Sequence, residues 1–244
     1  MPINILINGA SGRMGQQAIA AIEQDETLNL VATAGRHDDL GLMIASSQAQ
    51  VVVDLTVASV GFTNANKIIA AGAHPVIGTS GFTQTQVKML QQQCAEKKLG
   101  GIIAPNFSIG GVLMMQFSKM AAKYFNHVEI VERHHENKQD APSGTAMRTA
   151  EMIAEAQPNI ADVKCDEKIP GAHGGHYENV SIHSIRMPGN VAHQEVIFGA
   201  HGETLTIKHD SINRECFMPG LLLACKKVTE LDQLLFGLEH LLDI

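Results

Sequence analysis

The chain has 244 residues, 45% of them hydrophobic, and a formal net charge of −7. That length supports one large domain or two modest ones with real cores, and the acidic balance argues against a nucleic-acid partner. The four cysteines, Cys94, Cys165, Cys216 and Cys225, show no C-x-x-C spacing, so neither a disulfide frame nor a zinc knuckle is expected.

Residues 3–7 form a short apolar strand directly after Met1, which leaves no room for the basic and apolar regions of a signal peptide. No apolar stretch approaches the roughly 20 residues of a membrane span, so a cytoplasmic protein without a membrane partner is expected. A glycine-rich turn leads into a helix over 16–23. Strands over 28–34, 51–55, 75–77 and 101–104 then alternate with helices over 64–71 and 85–97. Apolar strands separated by helices predict an α/β fold with a doubly wound parallel sheet.

After the break at Pro105–Asn106 the pattern changes. A Met-rich helix over 112–124, a strand over 128–132 and a His-rich polar loop precede a helix over 145–156. Residues 179–186, 195–200 and 204–210 alternate apolar and polar side chains, which predicts a second α+β domain with an open antiparallel or mixed sheet. Residues 219–228 and 231–242 read as two closing helices.

The first turn is Gly9–Ala10–Ser11–Gly12–Arg13–Met14–Gly15, a G-x-x-G-x-x-G run that follows a strand and opens a helix. Glycines there allow a sharp turn and close backbone approach to a pyrophosphate, while bare helix N–H groups face the anion. The competing reading is a plain strand-to-helix turn. At the tip of the second strand, Ala34–Gly35–Arg36–His37 offers no carboxylate for the ribose of NAD. The Arg36 guanidinium suits a 2′-phosphate, which favours NADPH over NADH. The alternative has Arg36 solvated and Asp38 or Asp39 reaching back to the ribose.

Residues 132–145, Glu–Arg–His134–His135–Glu–Asn–Lys138–Gln–Asp–Ala–Pro–Ser143–Gly144–Thr145, concentrate the chemistry. Two imidazoles and an ammonium lie just before a helix-start signal whose free N–H groups can hold a carboxylate, a combination that suits a dianionic substrate. Adjacent histidines point in different directions and make a poor chelate, so no metal is expected. A solvated polar loop is the stronger rival. His173–Gly–Gly–His176 also reads as a mobile or solvent-exposed loop rather than a metal site.

Taken together, GASGRMG at 9–15, VVVDLT at 51–56, VIGTSGF at 76–82, APNFSIG at 104–110 and ERHHENKQDAPSGTAM at 132–147 resemble the dihydrodipicolinate reductase family over essentially the whole chain. The resemblance implies a Rossmann-like dinucleotide-binding domain (1–105 and 217–244) and an inserted substrate-binding and oligomerisation domain (106–216), commonly assembled as a homotetramer. It further implies reduction of 4-hydroxy-tetrahydrodipicolinate to tetrahydrodipicolinate with loss of water, in diaminopimelate and lysine biosynthesis. Residues 9–14 would bind the pyrophosphate and Arg36 would lie at the adenosine end. Gly78, Thr79 and Ser80 would contact the dinucleotide backbone, and Ala104, Pro105, Asn106 and Phe107 would lie beside the nicotinamide. His134 matches the proton donor and Lys138 its assistant, while His135, Ser143, Gly144 and Thr145 match the substrate-carboxylate site. The segment between Arg36 and Val51 is shorter than in longer members, so a peripheral strand-helix piece is expected to be missing. The loop 186–194 departs from the family's R-x-G-x-x-x-G-x-H pattern at Ala192 and Gln194 and receives no role.

Neither tyrosine is followed by lysine at the Y-x-x-x-K spacing of short-chain dehydrogenases, and no cysteine has the setting of a semialdehyde dehydrogenase nucleophile. A non-catalytic NADP-sensing protein is the rival from another class. Such a protein has no use for His134, His135 and Lys138 beside an anion-binding helix start.

Overall fold

The opening apolar run forms β1 (Ile3–Asn8) in a computed structural model that describes residues 1–161 and 163–243. With β2 (Leu28–Ala34), β3 (Val51–Asp54), β4 (His74–Ile77), β5 (Gly101–Ile103) and β11 (Leu234–Phe236) it makes a parallel sheet of order β11-β5-β4-β3-β1-β2. All four residues of β3 are buried, as expected for a strand in a sheet covered by helices. The order reverses at β1, the point from which β2 lies to one side and β3 to the other. Such a switch point opens a crevice at the carboxyl ends of the strands. The sheet is the Rossmann-like one expected.

The helices of this unit are α1 (Arg13–Glu23), α2 (Leu40–Ser47), α3 (Ala58–Ala70), α4 (Gln84–Lys97) and α7 (Met218–Lys227). In α1, Gly15, Ala18 and Ile22 are buried at helical spacing and form the inward face. A capping box starts α4, with Gln86 N donating to Thr83 Oγ1 at 3.2 Å and Thr83 N to Gln86 Oε1 at 2.9 Å. Lys226 Nζ of α7 lies 2.6 Å from Asp25 Oδ2 just beyond α1.

Two elements differ from expectation. The segment between β2 and β3, where the sequence predicts no element, holds a helix, α2, capped by Asp39, with Leu40 and Ile44 buried. The expected closing helix over 231–242 is instead β11 followed by a 3-10 turn, Leu238–Leu241. Leu231, Leu234, Leu235 and Leu238 mimic a helical stripe, but β11 pairs with Gly101–Ile103 and Gly237 adopts φ +104. That value lies in the left-handed half of φ space and does not occur inside a right-handed helix.

The chain separates into two units, Met1–Ile109 with the chain from Arg214 onward, and Gly110–Asn213. Ile244, the last residue of the segment 217–244 expected in the first domain, lies outside the described residues. In the second unit, α5 (Ile109–Ala122) leads to β6 (His127–His134), α6 (Gly144–Ala156), β7 (Gly175–Tyr177), β8 (Val180–Arg186), β9 (Ala192–Ala200) and β10 (Glu203–Ser211). The sheet order is β10-β9-β6-β8-β7, mixed, with only β6 and β8 parallel.

Alternate residues Val128 and Ile130 of β6, Val180 and Ile182 of β8, and Val196 and Phe198 of β9 share one core with Ala146, Ala150 and Ile153 of α6. Period-2 alternation meets a helical stripe. Gln194, a departure in sequence, is buried here and donates to Thr149 Oγ1 at 2.8 Å, tying β9 to α6.

Candidate active site

In the first unit, backbone hydrogen bonds align the strand ends. Gly9 N donates to Ala34 O, Leu55 N to Asn8 O, Gly78 N to Asp54 O and Ala104 N to Ile77 O, each at 2.9 Å. The four segments singled out for a dinucleotide therefore leave one edge of the sheet side by side. Gly9 has φ +88, and a Cβ there would come within 2.8 Å of Leu55 O. Gly15 packs as tightly, since its Cβ would lie 2.3 Å from Gly9 O.

The turn places Gly12 at the N-cap of α1 with no side chain capping it. The first helical N–H groups, from Arg13, Met14 and Gly15, have no partner within the helix. Ala10 is half-buried, and Ser11, Gly12 and Arg13 are exposed. The Phe107 ring closes over Gly78, where a Cβ would lie 2.9 Å from Phe107 Cε2. Thr79 is buried and its Oγ1 has no hydrogen-bond partner among the described residues. Ser80 and Pro105 are exposed, and Asn106 Oδ1 accepts from Ser108 N at 2.8 Å. A bare helix start, glycine backbones with no space for Cβ and an orphan hydroxyl suit a pyrophosphate and its attached riboses.

At the end of β2, Arg36 is exposed. Both nearby acids have local work: Asp38 Oδ2 accepts from Gly35 N at 2.8 Å, and Asp39 Oδ1 caps α2 through Gly41 N and Leu42 N. Beneath the switch point, Asp54 is fully buried and takes hydrogen bonds from Asn8 and Asn64. Burial raises its carboxyl above the usual range despite those donors.

The second unit gathers the His-rich segment around one carboxylate. Glu132, fully buried near the end of β6, accepts from His134 Nδ1 at 2.6 Å and from Arg186 Nη1 at 2.9 Å on Oε2. Its Oε1 accepts from Arg186 Nη2 at 2.8 Å and from Ser143 N at 3.2 Å. Register explains the convergence: in the parallel β6–β8 pair Glu132 lies opposite Ser184, and Arg186, two residues on, is the diagonal neighbour on the same face. Arg186 Nη2 also donates to Asp140 O at 2.6 Å, holding the loop. Neither Glu132 nor Arg186 was singled out from sequence as a site residue.

Ser143 is buried, and its Oγ caps α6 by accepting from Ala146 N at 3.2 Å. Its place is therefore structural at the side chain, while the N–H groups of Gly144 and Thr145 belong to the unpaired first turn of α6. Gly144 is exposed, with open space where a Cβ would stand. Lys138 is turned onto Asp140, with Nζ 2.7 and 2.9 Å from the two carboxylate oxygens. That ammonium holds the Asp140 carboxyl below its usual range. His135 is half-buried, and its carbonyl accepts from Lys138 N at 3.2 Å.

Burial alone would push the Glu132 carboxyl up, but the bonds from His134 and Arg186 outweigh it and hold the group at about 2, against an ordinary 4.5. A depressed carboxylate stabilises the fold above its unfolded value and loses that contribution as pH falls through its folded one. The contribution is on the order of 3 kcal/mol. Urea unfolding between pH 5 and 2 therefore shows a steeper loss of stability for the native chain than for Glu132→Gln, and parallel curves contradict this assignment.

In the His173–His176 stretch both imidazoles have partners. His173 Nε2 lies 3.2 Å from Glu129 Oε1, and His183 Nε2 lies 2.8 Å from Glu129 Oε2. His176 is exposed on β7 with Nδ1 3.3 Å from Ser181 Oγ. Among the described residues, no group of three or more His, Cys, Asp or Glu side chains is arranged to hold a metal. Burial pushes the thiols of Cys94 and Cys225 up to about 11 and about 12, which makes them poor nucleophiles.

Two family models match the chain: "Dihydrodipicolinate reductase, N-terminus" over residues 3–107 and "Dihydrodipicolinate reductase, C-terminus" over residues 110–242. The chain is 51% identical over 243 residues to a 4-hydroxy-tetrahydrodipicolinate reductase of Legionella pneumophila, covering 99% of this chain and 100% of that one. A relative of the same description from Coxiella burnetii matches with the same identity and coverage. The solved structure of a dipicolinate-bound dihydrodipicolinate reductase from Paenisporosarcina sp. TG-14 superposes with a TM-score of 0.91 at 38% identity, covering 99% of this chain and 100% of that one. A scyllo-inositol dehydrogenase from Lactobacillus casei, at 13% identity, 94% and 88% coverage and a TM-score of 0.60, shares the fold alone. With both halves matched in order and the relatives spanned end to end, the chain belongs to the dihydrodipicolinate reductase family.

Proposed function

We propose that the chain is a cytosolic, nicotinamide-nucleotide-dependent oxidoreductase acting on a CH–CH group. Its reaction is reduction of 4-hydroxy-tetrahydrodipicolinate to tetrahydrodipicolinate with loss of water, a step of diaminopimelate and lysine biosynthesis. The observation that carries this reading is the Glu132 carboxylate, which binds the His134 imidazole on one oxygen and the start of α6 on the other. A proton donor thereby stands beside N–H groups suited to a substrate carboxylate.

Gly9, Ala10, Ser11, Gly12, Arg13 and Met14 hold the pyrophosphate, with Gly78, Thr79 and Ser80 along the dinucleotide backbone and Ala104, Pro105, Asn106 and Phe107 beside the nicotinamide. Arg36 takes the adenosine end, with NADPH preferred over NADH, because Asp38 and Asp39 are engaged with their own backbone. When bound, the reduced nicotinamide supplies a hydride to the unsaturated ring carbon conjugated with the substrate's imine.

His134 then gives a proton to the enamine, which completes the saturated carbon pair. Lys138 assists, exchanging Asp140 for a substrate carboxylate, and His135, Gly144 and Thr145 bind the acid groups. These cations stabilise the dianion and the charge that moves onto the ring as it is reduced. Assembly as a homotetramer belongs to the same proposal and rests on the family resemblance.

The test follows the near-ultraviolet absorbance of NADPH, then NADH, with substrate generated by its synthase. Oxidation of both, with the higher kcat/KM for NADPH, is expected. NADPH binding without oxidation would replace this reading by that of a nucleotide sensor.

A further inference from the structure

We infer that Glu132 is a positioning residue for the reaction: it fixes the proton of His134 on Nδ1, leaves Nε2 as the only nitrogen that can exchange with substrate, and locks this donor to the start of α6. The inference rests on the reading of His134 as proton donor. It goes further by assigning the tautomer and the group that sets it.

The geometry leaves one arrangement of protons. Glu132 takes four N–H bonds, from Arg186 Nη1 and Nη2, from Ser143 N and from His134 Nδ1. Three of those donors are a guanidinium and a backbone amide, which cannot act as acceptors. The carboxylate is therefore a pure acceptor, and a contact of 2.6 Å to Nδ1 requires the hydrogen to be on the ring. Imidazolium then gives up the Nε2 hydrogen to the substrate carbon and is left as the neutral Nδ1–H form; uptake of one solvent proton at Nε2 restores it. A neutral ring in the other tautomer would carry its hydrogen on Nε2 and turn a bare Nδ1 toward a buried carboxylate, two acceptors face to face.

The same carboxylate sets distance. Because Ser143 N is bound to Oε1 while His134 is bound to Oε2, the donor and the carboxylate-binding turn of α6 are spaced by a single rigid group. Arg186 neutralises Glu132 and fastens Asp140 O, so the loop carrying Lys138 is held from the same point.

Glu132→Gln keeps the shape and inverts the proton pattern. Both donors at Oε1, Ser143 N and Arg186 Nη2, are unable to accept, whereas at Oε2 His134 can turn acceptor beside Arg186 Nη1. The amide oxygen therefore settles at Oε1 and the NH₂ faces His134, which favours the Nε2–H tautomer. The experiment combines nitrogen-15 NMR of the histidine rings with steady-state kinetics. The native protein at a pH where His134 is neutral is expected to show Nδ1–H. In Glu132→Gln the signal is expected to move to Nε2–H while kcat falls by about 100-fold and NADPH affinity stays within twofold.

Nε2–H in native protein that turns over substrate overturns the inference and leaves the proposed reaction standing, and so does a Gln variant with native kcat. Should the variant fail to fold, the ring signal of the native protein decides alone. Absence of turnover in the native protein is a failure of the functional reading, which the ring signal separates from this one.

Discussion

His134→Gln is expected to lower kcat by about 10²–10⁴-fold, the range of a lost general acid, with NADPH affinity unchanged. The imidazole is held by a fully buried carboxylate rather than by solvent. An amide in its place neither donates a proton at neutral pH nor matches the Glu132 acceptor with a ring N–H. Lys138→Cys is expected to act in the same direction with a larger rise in KM, because its ammonium, now bound to Asp140, is the cation that the proposed function offers to the substrate's acid group. Steady-state kinetics with NADPH held saturating checks both, and near-native turnover in the two variants removes this mechanism.

Gly15→Ala is expected to damage the proposed nucleotide site without touching His134 or Lys138. The added methyl would stand 2.3 Å from Gly9 O and 2.8 Å from Ala10 Cα, and backbone cannot swing away as a flexible side chain can. Either α1 withdraws from the sheet or the turn over 9–12 is pushed outward. Overpacking of this kind costs about 1–3 kcal/mol, which lowers Tm by roughly 2–10 °C. NADPH affinity is expected to fall by about tenfold or more, since a displaced turn no longer presents its amides at one point. Calorimetry and fluorescence titration read the two effects, and native values of both contradict the packing described.

Features set by local chemistry were legible in the sequence. Gly9, Gly12 and Gly15 announce a tight strand-to-helix turn, where a Cβ at Gly9 or Gly15 would meet backbone, and Ser143 three residues before Ala146 announces a helix start. The alternation in residues 179–186 and 195–200 pointed to the second sheet because one face is covered by α6. What was missed depends on partners far along the chain.

Glu132 at a strand end beside a polar loop reads as an ordinary surface acid; its burial and its role come from Arg186, brought next to it only by the β6–β8 register. The spacing of Leu231, Leu234, Leu235 and Leu238 suits a helix as well as a strand, and β5, more than a hundred residues earlier, decides between them. For α2, eight residues with a glycine second in line and two serines at the end carry little helical propensity. The packing of Leu40 and Ile44 makes it a helix.

The claim on which the rest depends is that a six-membered nitrogen ring bearing two carboxylates is held by the start of α6 and by Lys138. Pyridine-2,6-dicarboxylate titrated into nitrogen-15-labelled protein tests it most directly. Saturable shifts largest at the amides of Gly144 and Thr145, weakened by Lys138→Cys, are the result this account gives. Shifts centred elsewhere, for example around His173 and His183, or none at these two amides, would contradict it.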